Sequence, residues 1–319
     1  RTIPLDLFDH WRGDPHGIVR IEPGQDPQPG ARSLAVMVQY SPSGALSAMV
    51  LRQVESYRAA GFAVVLVSNS PAFPEDAWQA ARRDAALVVH RLNRGLDFGA
   101  WKEVVPVALE RWPDAEELLL VNDSVLGPVR PLEPLIDAMR AGGDGYFGLL
   151  ESIQGGPHMQ SWFTLARGRA AVASLAAFLA ALRLSRSKWK LIQRGELRLA
   201  RHMREAGHRV ACVFGYERLV DMALADPDQR AYLERAIPLW MRDKKPGAAR
   251  HLLLRRPVNP AHHLWRVLSG PAGCPFIKTE LVRRNPGRLP DVDAWPELVP
   301  PGSPCPPEML RAHLDLLGP

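Results

Sequence analysis

Two short polar clusters in this chain are spaced so that they can meet. The first is Asn93-Arg94-Gly95-Leu96-Asp97-Phe98-Gly99-Ala100-Trp101. The second is Asn122-Asp123-Ser124, which ends the apolar run 118–121. A carboxylate such as Asp123 is a hard oxygen ligand suited to Mg2+ or Mn2+, or to orienting a diphosphate. The two glycines of the first cluster allow close backbone approach or positive φ. Each cluster also has a plain structural reading. Asp97 can be the N-cap of a helix, and Asn122-Asp123 a turn that bonds its own backbone. They stand about thirty residues apart, one strand-helix unit, as neighbouring parallel strands require. Ligands of open α/β sheets bind at the carboxyl edge where such loops lie.

The elements that must position these clusters follow from periodicity. Residues 33–39, 62–68, 86–91 and 117–121 are continuous apolar runs of strand length, the pattern of buried parallel strands. Helical spacing fills the intervals at 46–60, 74–83 and 98–111, with the last broken or kinked at Pro106. This alternation predicts an α/β fold with a doubly wound, mostly parallel sheet. Beyond residue 130 the pattern becomes mixed. A helix is expected at 132–141, and strands at 145–150 and 161–166 around a loop 151–160. A helix at 169–182, an amphipathic helix at 195–206 stopped by Gly207, and a strand at 209–214 follow. Residues 226–256 read as helical with breaks, 257–266 as turn-rich, and 275–284 as a short basic amphipathic segment. The Pro- and Gly-rich stretch 1–33 reads as an irregular arm with a short strand at 17–21. The Pro-rich stretch 286–307 reads as a strap over the surface before a last short helix. The expected organisation is an arm over 1–33, one domain over 34–288 and a Pro-rich tail over 289–319. Within the domain, a donor half covers about 34–130 and an acceptor half about 131–288.

Composition bounds the function. With 319 residues and 46% hydrophobic content the chain can bury a large core and is not wholesale disordered. The net charge of +6, with Arg-rich patches at 183–209, 242–256 and 283–288, suits anionic partners. No helix-turn-helix, zinc or RNA-binding signature accompanies it, so no nucleic acid is expected. Three distant cysteines imply neither a disulfide framework nor a metal site, and they fit a reducing compartment. Neither a transmembrane run nor a signal peptide is expected. The chain begins at Arg1 rather than Met, as a piece of a longer protein would.

Four motifs in order, NRGLDFGAW, LLLVNDSVLGP, HMQSWF and PFIKTELVRRNP, resemble the rhamnan-synthesis F family of bacterial polysaccharide glycosyltransferases. The resemblance covers residues 34–288. It implies a GT-A-like fold: a Rossmann-like nucleotide-sugar half, a mixed acceptor-side half and a helical C-terminal region. It also implies an inverting transfer of a sugar, rhamnose or another deoxyhexose, from a nucleotide-diphosphate donor. The receiving group is a hydroxyl of a growing surface polysaccharide, whether O-antigen, capsule or wall glycan. The implied partners are the nucleotide sugar, a lipid-linked or polysaccharide acceptor, and other glycosyltransferase domains. The implied place is the cytoplasm, with peripheral contact at the inner face of the membrane. The metal motif usual in this fold is Asp-x-Asp. Here Asn122 and Ser124 occupy those positions with Asp123 between them, so Mg2+ or Mn2+ at Asp123 and metal-free chemistry both stay open.

The resemblance also suggests roles. Asn93, Gly95 and Asp97 would line the nucleotide and donor side. Asn122, Asp123 and Ser124 would address the diphosphate or its metal, and Lys278 the leaving charge. Glu196 opens a helix where inverting enzymes of this fold carry the base that deprotonates the acceptor, and Glu151 is the second candidate. A bland alternative makes Glu196 a favourable charge in a first helical turn. His158 and Gln160 would bind acceptor hydroxyls and Trp162 would stack on a sugar ring, or the His and Trp are structural. Arg283 and Arg284 would join Lys278 in a clamp on the leaving diphosphate, or read as a solvated basic helix face, the reading preferred for them. A different functional class also fits: a non-catalytic module that holds glycan or membrane surface for a partner enzyme.

Overall fold

The structure, a computed structural model, describes residues 17–242 and 244–318. Residues 1–16 of the arm expected over 1–33 lie outside the described residues. Its described end carries β1 (Ile18–Pro23), where a short strand was expected.

The four apolar runs of the first half form β2 (Ser33–Gln39), β3 (Ala63–Ser68), β4 (Leu87–Arg91) and β5 (Glu117–Asn122). They pair in parallel in the order β4-β3-β2-β5. Helices α1 (Ala48–Ala59), α2 (Glu75–Asp84) and α3 (Leu96–Arg111) connect them. The strands are apolar throughout because both faces of the sheet are covered. In β2, Leu34, Val36 and Val38 join one core with Trp101 and Trp112, while Ala35 and Met37 join the other with Tyr57 and Trp78. That is the period-two alternation of a strand between two layers of helix. The break expected at Pro106 does not occur. Pro106 lies inside α3 on its exposed face, where its ring and missing amide face water rather than the core.

The second half adds β6 (Val125–Leu126), α4 (Glu133–Arg140), β7 (Gly145–Ser152), β8 (His158–Met159) and β9 (Phe163–Arg167). Then come α5 (Arg169–Ala181), α6 (Lys188–Arg194), α7 (Glu196–Glu205) and β10 (Val210–Phe214). The main sheet runs β1-β4-β3-β2-β5-β9-β7-β10. β9 is antiparallel to both β5 and β7, while β7 and β10 are parallel. Reversal of β9 sets its amino end beside the carboxyl end of β5, with Phe163 opposite Val121. The loop before β9 thereby reaches the edge where the Asn122 cluster emerges.

A helical region follows: α8 (Tyr216–Ala225), α9 (Pro227–Ala236), α10 (Pro238–Met241) and α11 (Pro246–Arg255). The stretch read as turn-rich contains α12 (Pro260–His263) and α13 (Trp265–Ser269). Short strand β11 (Ile277–Lys278) pairs with β6 and leads into α14 (Thr279–Arg284). The Pro-rich stretch is not merely a strap. Leu289, Val292 and Trp295, the last two in a 3-10 helix at Val292–Leu298, enter the core, as do Cys305 and Leu310 of the following segment. The chain closes with α15 (Pro307–Leu317).

A buried charge anchors the loop between β4 and α3. Arg91 is fully buried. Its guanidinium donates to Glu103 of α3 at 3.1 Å, to the Asn69 side chain at 2.9 Å and to the Arg94 carbonyl at 2.9 Å. Gly99 completes the packing, since a Cβ there would stand 1.9 Å from the Arg94 carbonyl oxygen. Arg91→Met should cost about 3–5 kcal/mol, because it leaves Glu103 desolvated without its partner. Arg91→Met/Glu103→Leu should recover part of that loss. Urea unfolding midpoints of the three proteins check both; equal midpoints for wild type and the single variant would show that the pair does not hold this loop.

Candidate functional site

A cleft opens at the carboxyl edge of the parallel strands, with a volume of about 390 Å3. Asp97, Asn122, Asp123 and Ser124 line one side. Gln160, Ser161, Trp162 and Glu196 line a second, and Lys278 with Glu280 a third. Gly95 and Leu96 both take left-handed backbone, with φ of 72° and 51°. For Leu96 this costs about 1–2 kcal/mol, the kind of strain concentrated at working sites. Asp97 is therefore not the helix cap, a position Gly95 holds. Its carboxylate instead accepts from Asn122 Nδ2 at 2.7 Å. Asn122 Oδ1 in turn accepts the Ser124 hydroxyl and, at 3.1 Å, the Ser124 amide. The Ser124 hydroxyl takes Lys278 Nζ at 2.8 Å. Lys278 reaches that point because β11 pairs with β6, in the register Lys278 to Val125. Asp123 Oδ2 accepts the Tyr40 amide at 2.8 Å, so the end of β2 holds this carboxylate.

Glu196 stands across the cleft at the start of α7. Its Oε2 accepts the amide of Ser161 at 2.8 Å and the Ser161 hydroxyl at 2.6 Å. Its Oε1 is 3.7 Å from His158 Nε2. One carboxylate oxygen is thus fixed by two donors, and the other has only a distant imidazole.

The charges are partly desolvated. Burial, reinforced by Glu196 and opposed by Lys278, Lys188 and the Asn122 hydrogen bond, raises Asp97 to about 6. Burial and the charge of Asp97 raise Asp123 to about 7, against the Tyr40 amide and Lys278. Burial lowers Lys278 to about 8, against the attraction of Glu196, Asp97 and Glu280. His262, also on the cleft wall, is lowered to about 4 chiefly by burial, so it is neutral at pH 7. Two carboxylates that repel each other thus share the cleft with a half-buried ammonium, so the arrangement can meet both cationic and anionic groups.

Not every expected residue comes to the cleft. Asn93 is an exposed loop residue and Gly95 packs under Leu184, so both shape the loop from outside the cleft. Glu151 lies outside too: its Oε2 accepts the Tyr216 amide at 3.1 Å, an anionic cap on the first turn of α8. His158 is buried behind Glu196, and its Nδ1 is held at 2.8 Å from the Gly156 carbonyl oxygen. Trp162 is only 4% exposed and packs edge-on against Phe276, so it offers no open face for a sugar ring. Its indole instead fixes Gln160 at 2.8 Å, and Gln160 donates to Asn259 at 3.1 Å. Arg284 is exposed at the rim, whereas Arg283 donates to the Leu317 and Gly318 carbonyls at the end of α15. Tyr40, Ser161, Lys188, Asn259, His262 and Glu280 join the cleft unforeseen. Tyr40 was within reach of the strand-edge rule, as it directly follows β2. Ser161 lay inside the quoted HMQSWF motif. Asn259 and His262 carried no local signal.

Comparisons with known proteins bear on this site. The family profile described as Rhamnan synthesis protein F matches residues 64–242. The uncharacterized protein y4gN of Sinorhizobium fredii is 26% identical over 225 residues, which is 66% of this chain and 58% of that protein. The chain thus spans little more than half the length of that relative. Among solved structures, a protein of Desulfovibrio desulfuricans G20 ascribed to the nucleotide-diphospho-sugar transferases is 12% identical. The match covers 71% of this chain and 100% of that one, with a TM-score of 0.34. A cytidylyltransferase of Leptospira borgpetersenii serovar Hardjo-bovis is 7% identical, covers 71% of this chain and 95% of its own, and gives a TM-score of 0.33.

The raised carboxyls make a stability prediction. Each folded value stands above that of the unfolded chain, so the folded state binds more protons between about pH 4 and pH 7. Stability is therefore lost as pH rises through that window. Asp97→Asn and Asp123→Asn remove the charge but keep an oxygen for the Asn122 and Tyr40 donors. Without ligand, each should raise Tm by several degrees at pH 7.5 and leave it unchanged near pH 4. Melting curves at the two pH values check this, and a lower Tm at pH 7.5 would contradict it.

Proposed function

Because the chain belongs to the rhamnan synthesis protein F family, whose profile covers more than half of it, we propose that it is an inverting, GT-A-like glycosyltransferase. Its donor is a nucleotide-diphosphate sugar, rhamnose or another deoxyhexose. Its acceptor is a hydroxyl of a growing bacterial surface polysaccharide. One observation carries this reading. Asp97, Asp123, Lys278 and Glu196 converge on a single cleft at the carboxyl edge of a parallel sheet. The parallel first half, the mixed second half and the helical C-terminal region support the GT-A reading.

The chemistry follows from the geometry. The diphosphate lies against Lys278, with Lys188 and Arg284 at the rim to add positive charge. Ser124, tied to Lys278 and Asn122, fixes that ammonium in place before the donor arrives, so little reorganisation is left for the transition state. Glu196 takes the proton of the acceptor hydroxyl through the oxygen that Ser161 leaves open. The new bond forms at the anomeric carbon as the bond to the phosphate oxygen breaks, and the leaving diphosphate keeps the electron pair. Attack on the face of the anomeric carbon opposite the departing diphosphate inverts the anomeric configuration. His158, against the back of Glu196, orients the base and does not contact substrate.

The two carboxylates of Asp97 and Asp123 fit a hard divalent ion, because burial and their mutual repulsion are what an intervening cation relieves. No group of three metal-ligating side chains occurs among the described residues, so the remaining ligands would be donor oxygens and water. When bound, Mg2+ or Mn2+ supplies charge neutralisation for the leaving group.

Two experiments test the proposal. Glu196→Gln keeps size and hydrogen bonding but cannot accept the proton. It should lower kcat by roughly a hundredfold or more and leave donor affinity nearly intact. Turnover of Glu196→Gln near the wild-type rate would remove Glu196 from the mechanism. A thermal-shift screen across nucleotide sugars identifies the donor to use, since specific ligands raise apparent stability by mass action. With that donor, EDTA should suppress turnover, Mn2+ or Mg2+ should restore it, and Asp123→Asn should be inactive throughout. Full turnover in EDTA with Asp123→Asn still inactive would transfer the neutralising role to Lys278 alone.

A further inference from the structure

Beside the cleft lies a surface of which the proposed transfer uses only Lys188, at the shared rim. From Ser152 to Gly195 the chain has no Asp or Glu, and five basic residues fall within 183–194. In the middle of them Trp189 is 63% exposed, flanked by Lys188 and Lys190. The β4–α3 loop adds Leu92 and Leu96, 44% and 38% exposed, with exposed Arg94 between them. The two segments touch: a Cβ on Gly95 would stand 2.9 Å from Leu184. Leu96 and Lys188 also line the cleft, so the patch is continuous with its mouth.

A single exposed apolar residue is ordinary. Three of them set among exposed basic groups, without an acid in the segment, are a distinct arrangement. Tryptophan and leucine tips enter the headgroup layer of a bilayer, while Lys and Arg are drawn to anionic lipid. A nucleic-acid site of similar charge would offer a groove with stacking faces in series, whereas here the apolar groups are separate tips. We propose that residues 183–194 and the loop 92–96 seat this chain on an anionic phospholipid surface with the cleft mouth toward the bilayer.

The test is co-sedimentation of the whole chain, without donor, with phosphatidylcholine vesicles that contain or lack phosphatidylglycerol. Binding should require phosphatidylglycerol and weaken steeply with salt. Arg183→Gln/Arg186→Gln should lower the partition coefficient roughly tenfold or more, and Trp189→Ser should lower it several-fold. Melting curves like that of the wild type show that these surface variants fold. Equal binding to neutral vesicles, no binding to either, or wild-type binding by both variants would overturn the proposal. Tighter binding to a single-stranded RNA oligonucleotide than to phosphatidylglycerol vesicles would also overturn it. Because no donor is present, vesicle binding and the transferase reading can fail independently: loss of turnover in Glu196→Gln does not touch it.

Discussion

The Asn122 side chain joins the parts of the cleft that come from distant stretches of sequence. Its amide donates to Asp97 at the start of α3 and accepts from Ser124, which holds Lys278 of β11. Its backbone amide donates to the Trp162 carbonyl at 3.3 Å, beside the Ser161 that grips Glu196. An asparagine suits this position because it is both donor and acceptor in one rigid plane. An aspartate there would place a further negative charge beside Asp97 and lose the donor. The departure from an Asp-x-Asp pattern is therefore accompanied by a hydrogen-bond network that an acidic first position would break.

That network is charged and partly buried, and the fold is arranged around its cost. Asp97 and Asp123 are pushed up and Lys278 down, each chiefly by burial. None of these shifts favours the empty protein at neutral pH. Shifts of this sign are what the proposed ligand site would carry, since its polar groups would be held for a ligand rather than for stability. The rigidity comes from elsewhere: two covered faces of a parallel sheet, and the buried Arg91 that locks the loop from behind. Oriented groups at the end of rigid strands keep their geometry without being paid for locally.

Much of the first half was legible in the sequence because its strands are buried on both faces. Continuous apolar runs have no other soluble use at that length, and the polar residues that end them fall at the ligand edge by connectivity. The reading failed where a residue's fate depended on a neighbour distant in sequence. Glu151 and Glu196 are both acids in the second half of the sheet region, yet one caps α8 through the Tyr216 amide and the other faces the cleft. Trp162 was read as open to a sugar ring, but it is buried, with Phe276, more than a hundred residues on, packed against it in a T-shaped contact. The Pro-rich tail looked like a surface strap because prolines hide periodicity, but Trp295 and Leu310 are core residues.

By itself the sequence determined the alternation of strand and helix, the edge of the sheet where polar loops gather, and the acidic and basic residues available there. Local periodicity and chain connectivity act over a few residues to a few tens, so one strand-helix unit is within their reach. Only the tertiary structure decided which of those residues meet. Reversal of β9 set Ser161 beside Asn122, pairing of β11 with β6 delivered Lys278, and α12 brought Asn259 and His262 to the wall. These placements depend on antiparallel pairings and helix packing between segments far apart in the chain, such as Ser124 and Lys278 at a separation of 154. No local pattern encodes such contacts; they follow from the burial of the whole sheet between its two layers.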